Sequence, residues 1–132
     1  MVSRKPSKRR NPNEAKTARK VAQLSPESLA LVANFFKMLS EPSRLQIVCT
    51  LKSEPCSVSE IIQQTGLGQA NVSKHLKLLS QAGIVSREAS GVSAYYKIAT
   101  PNIFKLCEIV CDSLSVQLEQ QTERVEELKA VS

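Results

Sequence analysis

A mainly α-helical fold with one small β-hairpin, arranged as a winged helix-turn-helix, is what this sequence predicts, and three observations lead there. Apolar residues recur at helical spacing through most of the chain from Ser25 onward. Two short helical runs flank the tight segment Thr65-Gly66-Leu67-Gly68. After Gly83 the apolar period changes to two.

Residues 1–24 read as a disordered basic arm. The first 20 residues hold eight Lys/Arg against one Glu, with Pro6, Pro12 and few apolar side chains. The other 112 residues hold ten basic and eleven acidic side chains, so the net charge of +6 mostly reports this arm. A solubilising extension, a flexible arm attracting phosphate and a cleaved transit peptide all fit it.

The first helix starts at SPESLALVANFFKMLS, where Ser25 can cap, Pro26 suits the first turn, and Leu29, Val32, Phe36 and Leu39 keep helical spacing. EPSRLQIVCTLKS opens a second helix with Pro42 in its first turn, and SVSEIIQQTG makes a third, ended by Gly66. The fourth lies within GLGQANVSKHLKLLSQAG, residues 66–83. Its apolar stripe is Val72, Leu76 and Leu79, and its other face is small, polar or basic. In IVSREASGVSAYYKIA, alternation on both sides of Ser90-Gly91-Val92-Ser93 predicts a hairpin. A long fifth helix starts near Pro101 with Ile103, Leu106, Val110, Leu114 and Leu118 on one face. A terminal helix with such a stripe has little of its own chain left to cover it, so a partner subunit is the economical cover.

At 42% hydrophobic but 4% aromatic, the 132 residues support one domain with an aliphatic core. No run approaches the roughly 18 apolar residues of a membrane span, and the basic N-terminus lacks an apolar signal region, so no membrane association is expected. An enzyme is not expected either. There is no Gly-rich phosphate loop, and the single His75 has no carboxylate at catalytic spacing. The four cysteines suit reduced thiols better than a disulfide scaffold.

A helix pair with a short turn, followed by a hairpin, suits a DNA major groove about 12 Å wide. On the fourth helix Ala70 and Ser73 permit close approach, Gln69, Asn71 and Ser73 can bond to base edges, and Lys74 and Lys77 can pair with phosphate or guanine. The competing interpretation is a helical interaction module that no longer binds DNA.

The segments LSEPSRLQIVCTL, SVSEI, QANVSKHLKLLSQAGIV and YYKI resemble the ArsR/SmtB family of bacterial winged-helix repressors, over about Ser25 to Leu118. The resemblance implies a cytoplasmic protein, nucleoid-associated when bound to DNA, with no cofactor. It implies a homodimer of five helices plus wing, with first and last helices paired, bound to an inverted-repeat operator on double-stranded DNA and released by an effector. It gives a DNA-binding and dimerisation domain at 25–121, and leaves 122–132 as helix end or tail. By position it assigns DNA reading to Gln69, Asn71, Ser73, Lys74, His75 and Lys77, with Arg87 and Lys97 on or near the wing. For His75 a structural or phosphate-contacting role outweighs metal ligation, because the chain holds no second imidazole.

Metal sites familiar in the family look degraded here. Pro55-Cys56-Ser57-Val58-Ser59-Glu60 has Ser where thiols align, and the last helix keeps Glu108, Asp112 and Glu119 but no His. Cys49 with Cys107 and Cys111 resembles the family's thiol-sensing branch, where a second-helix and a last-helix cysteine react with persulfides or oxidants. Core filling by any of the three, or a soft-metal or arsenite-responsive site using the same thiolates, stays open. Cys107 and Cys111 lie four residues apart on one helix face. Their Cβ atoms are then about 5–6 Å apart, against about 3.8 Å in a disulfide, so a bridge to Cys49 is the easier linkage. Cys56, at an element boundary beside Pro55, is expected to be exposed and incidental.

Overall fold

The computed structural model describes residues 11–131. Six helices and a two-stranded antiparallel hairpin follow in the order α1 (Pro12–Ala22), α2 (Pro26–Met38), α3 (Pro42–Thr50), α4 (Val58–Thr65), α5 (Gln69–Gln81), β1 (Val85–Ser90), β2 (Ser93–Ile98) and α6 (Ile103–Val131). The five predicted helices are α2 to α6. The sixth, α1, lies where the sequence predicts disorder. The Asn11 side chain accepts from the Asn13 N–H at 3.0 Å, Pro12 opens the first turn, Glu14 follows, and Arg19 and Lys20 sit in the last turn. Capping and dipole-matched charge therefore hold α1 locally, because none of its residues is buried. The expected basic arm over residues 1–10 lies outside the described residues.

The starts of α2, α3 and α4 each have a side-chain cap. Ser25 accepts from the Ser28 N–H at 3.1 Å, and Glu41 accepts from the Arg44 N–H at 3.3 Å. Ser57 and Glu60 form a reciprocal capping box, with Ser57 Oγ accepting from the Glu60 N–H and the Ser57 N–H donating to Glu60 Oε1. Gly66 ends α4 at φ 74°, a left-handed conformation that costs a side-chain-bearing residue far more, and its N–H donates to the Ile62 carbonyl at 2.9 Å. The chain then turns into α5 within three residues.

The core forms where α3, α4 and α5 meet the base of the hairpin. Ile47, Val48, Ile61, Val72, Leu76, Leu79 and Ile84 are fully or almost fully buried, joined by Leu51, Cys56, Val85 and Ile103. β1 and β2 pair from Val85 opposite Ile98 to Ser90 opposite Ser93, leaving Gly91 and Val92 as a two-residue turn. Cys56 departs from expectation. It is 1% exposed rather than incidental, because it pairs with Tyr96 as a short extension of the hairpin: its N–H donates to the Tyr96 carbonyl at 3.0 Å and its carbonyl accepts from the Tyr96 N–H at 2.8 Å.

α2 and α6 leave much apolar surface uncovered. Leu29, Val32, Phe36, Val110, Leu114 and Leu118 are all exposed, and Ile103 is the buried residue of α6.

Removing a core side chain from α5 should therefore be costly. Leu76→Ala is expected to destabilise the chain by about 2–5 kcal/mol, whereas Ser73→Ala on the opposite face should stay within about 0.5 kcal/mol. Thermal or urea denaturation of the two variants checks this.

Candidate nucleic-acid interface and thiol groove

Two of the elements predicted to carry function are arranged around α5. Its stripe of Val72, Leu76 and Leu79 is sunk in the core, so Gln69, Ala70, Asn71, Ser73, Lys74 and Lys77 all face outward. Gly68 at the N-cap supplies no side-chain cap, so the first-turn N–H groups of α5 receive none. The outward face thus offers two amides, a hydroxyl, two ammonium groups and a small residue that lets another surface approach. That is the chemistry of base edges and phosphates.

His75, expected to be structural or to contact phosphate, does not lie on this face. It is 8% exposed, and its Nε2 lies 3.3 Å from Glu41 Oε2 while its buried Nδ1 has no hydrogen-bond partner. The pair ties the middle of α5 to the N-cap of α3. Partial burial pushes the Glu41 carboxyl up, but the Ser43 N–H, His75 and the Arg44 N–H outweigh that and hold it below the usual carboxylate range. Arg44 extends the network by donating from Nε to the Met38 carbonyl at 2.7 Å, at the end of α2.

The wing separates its two basic candidates. Arg87 stands opposite Tyr96 and Lys97 opposite Ser86, so the two lie on opposite faces of the hairpin. Both are exposed, and Lys97 is ion-paired with Glu88.

The three thiols predicted to sense a signal do come together. Cys49 is exposed on α3 although Ile47 and Val48 beside it are fully buried, so it does not fill the core. Cys107 is half-buried and Cys111 exposed on α6. All three line one groove of about 410 Å³ with Phe36, Leu39, Leu45, Leu106, Val110 and Leu114, and an adjoining one of about 520 Å³ with Lys52, Phe104, Lys105 and Glu108. Burial, with the nearby Cys49 and Cys111 sulfurs, pushes the Cys107 thiol up; burial, with Glu60 and Glu54, does the same to Cys56. Among the described residues no group of three or more His, Cys, Asp or Glu is placed to hold a metal ion. No described helix is long and apolar enough to cross a membrane.

Glu41, which pairs with His75, and Lys52 and Lys105, which line the thiol groove, escaped the sequence reading. The usable signal was spacing, with Lys52 three residues after Cys49 and Lys105 two before Cys107.

Comparison with known proteins gives a consistent family. A model described as "Bacterial regulatory protein, arsR family" matches residues 41–87, from the cap of α3 into β1. An uncharacterised helix-turn-helix transcriptional regulator of Mycobacterium tuberculosis is 34% identical over 101 residues, 76% of this chain and 89% of that protein. Its crystal structure matches at TM-score 0.66 and 32% identity, over 75% of this chain and 99% of that one. The biofilm growth-associated repressor of Xylella fastidiosa is 35% identical over 89 residues, 67% of this chain and 78% of that protein. The solution structure of a homodimeric winged helix-turn-helix DNA-binding domain from Mycobacterium bovis matches at TM-score 0.63 and 29% identity, over 75% of this chain and 94% of that one.

Thiol chemistry gives a direct check on the groove. A protonated thiol is a poor nucleophile, so iodoacetamide at pH 7 should label Cys49 and Cys111 before Cys107, and Cys56 last. Labelling of Cys107 and Cys56 should rise as the pH passes above the ordinary thiol range. Peptide mass spectrometry over a pH series reads both.

Proposed function

Because this chain belongs to the ArsR family of bacterial regulatory proteins, we propose that it represses transcription as a homodimer on an inverted-repeat operator, and that a thiol-directed signal releases it. The observation that carries DNA reading is the division of α5 into a buried apolar stripe and an outward face bearing Gln69, Asn71, Ser73, Lys74 and Lys77. Arg87 or Lys97 adds a wing contact, from whichever face of the hairpin meets the duplex. The arm and α1 add sequence-independent attraction to phosphate through their Lys and Arg. The uncovered apolar side chains of α2 and α6 support pairing of these helices with those of a second copy.

The switch rests on Cys49, Cys107 and Cys111 sharing a groove between α3 and α6. An exposed thiol, Cys49 or Cys111, attacks first. With hydrogen disulfide it becomes a persulfide and hydrosulfide leaves; a second thiol then attacks the persulfide, forms a disulfide and releases hydrogen sulfide. With peroxide the first product is a sulfenic acid plus water, and the disulfide forms with loss of a second water. A link from α3 to α6 biases the spacing of two recognition helices, whose half-sites lie about 34 Å apart. Coupling of about 1–3 kcal/mol changes affinity by about five- to 150-fold. A soft-metal effector has less support, for want of a three-donor cluster among the described residues.

Ser73→Ala and Lys77→Ala should weaken operator binding with the dimer still folded. Loss of a base contact costs about 1–3 kcal/mol, and loss of a phosphate contact lowers the salt slope by roughly one. Electrophoretic mobility or anisotropy titrations at several salt concentrations measure both, and unchanged affinity and slope in both variants removes α5 as the reading element.

Cys49→Ser, and the double variant Cys107→Ser with Cys111→Ser, should bind DNA when reduced yet keep binding after polysulfide or peroxide. Retained release in either variant defeats the α3–α6 linkage, and release by Cd without release by polysulfide transfers the role to a metal ion.

A further inference from the structure

The geometry points to Lys52 and Lys105 as a cationic mouth that admits the effector to the thiol groove as an anion, in preference to a neutral oxidant. This specificity role rests on the thiol-switch reading above. The three cysteines are reached from two sides. One side is apolar, lined by Phe36, Leu39, Leu45, Leu106, Val110 and Leu114, and belongs to the α2 and α6 surface that a second copy covers in the proposed dimer. The other is lined by Lys52, Phe104, Lys105 and Glu108, and stays as the route from solvent.

That second side is positive. Two lysines and one glutamate line it, and among the described residues neither lysine has an ion-pair partner. Lys52 is also held in place. Its N–H donates to the Cys49 carbonyl at 3.2 Å, fixing it one turn from that thiol, and its Nζ stands 5.6 Å from the centre of the Phe104 ring. Lys105 follows Phe104 directly in the first turn of α6. Both lysines line the same groove as the three sulfurs, and charges within the screening length of about 8 Å at physiological salt raise the local concentration of an anion and do nothing for hydrogen peroxide.

The anion that fits is a hydropolysulfide. A protein thiol and a hydropolysulfide of n sulfurs give a protein persulfide and a hydropolysulfide shorter by one. One S–S bond forms and one breaks; the thiol sulfur is oxidised, and the departing anion carries the electron pair of the broken bond. The lysines face both the incoming anion and the departing one.

The test compares the full chain with Lys52→Gln, Lys105→Gln and their double variant, and with the charge-retaining Lys52→Arg, Lys105→Arg double variant. Modification rates are read by intact mass, with sodium tetrasulfide or hydrogen peroxide as reagent. The double Gln variant should react about tenfold more slowly with tetrasulfide at low salt, with its peroxide rate within about twofold of the parent, and the double Arg variant should react as the parent does. The parent's tetrasulfide rate should fall with added salt, and the double Gln variant's should not. Equal slowing with both reagents, or none with tetrasulfide, overturns the cationic mouth. Operator binding followed in parallel separates the two claims. Parent protein that is persulfidated yet stays on DNA defeats the switch alone, whereas parent protein that releases DNA while the Gln variants react at its rate defeats the mouth alone.

Discussion

The burial of Val72, Leu76 and Leu79 in one core with Ile47, Val48 and Ile61 sets how α5 sits, and most of what the chain presents to its surroundings follows from that seating. A helix of 13 residues has few ways to bury three aliphatic side chains in one core, so its remaining face is determined by exclusion. The His75–Glu41 pair adds a polar constraint to an otherwise apolar contact, and so specifies rotation as well as depth. The wing is tied to the same body by the Cys56–Tyr96 pairing and by Val85 in the core.

α3 is the element through which distant parts of the molecule meet. Its cap, Glu41, holds the middle of α5; Ile47 and Val48 supply the core; Cys49 faces the other way into the thiol groove. A displacement of nine residues at one face is therefore felt at the other, since close-packed aliphatic side chains do not absorb movement by compressing. The surface thiol of Cys49 and the seating of α5 share one short rigid body.

How much of this was legible in the sequence depended on whether the deciding partner was local. The faces of α5, the end of α4 at Gly66 and the alternation either side of the hairpin turn all follow from residues a few positions apart, and all could be read in order along the chain. His75 could not, because its burial depends on Glu41, far earlier in the chain. Cys56 failed for the same reason, its partner being Tyr96 across the wing. At α1 a composition argument for disorder met Asn11, Pro12 and a favourable charge order, which favour a helix without any core. The grouping of Cys49 with Cys107 and Cys111 was legible only as a resemblance, since helical spacing places the last two together but says nothing about α3.

The length of α6 has a mechanical consequence. It runs 29 residues, yet its one buried side chain is Ile103 at the very start. At 1.5 Å per residue the helix is roughly 43 Å long, so a tilt of about 10° at its base carries the far end through roughly 7 Å. Cys107 and Cys111 lie one and two turns from that fulcrum, where the same tilt amounts to about an ångström or two. A tilt about Ile103 is therefore multiplied severalfold between Cys111 and the far end of α6.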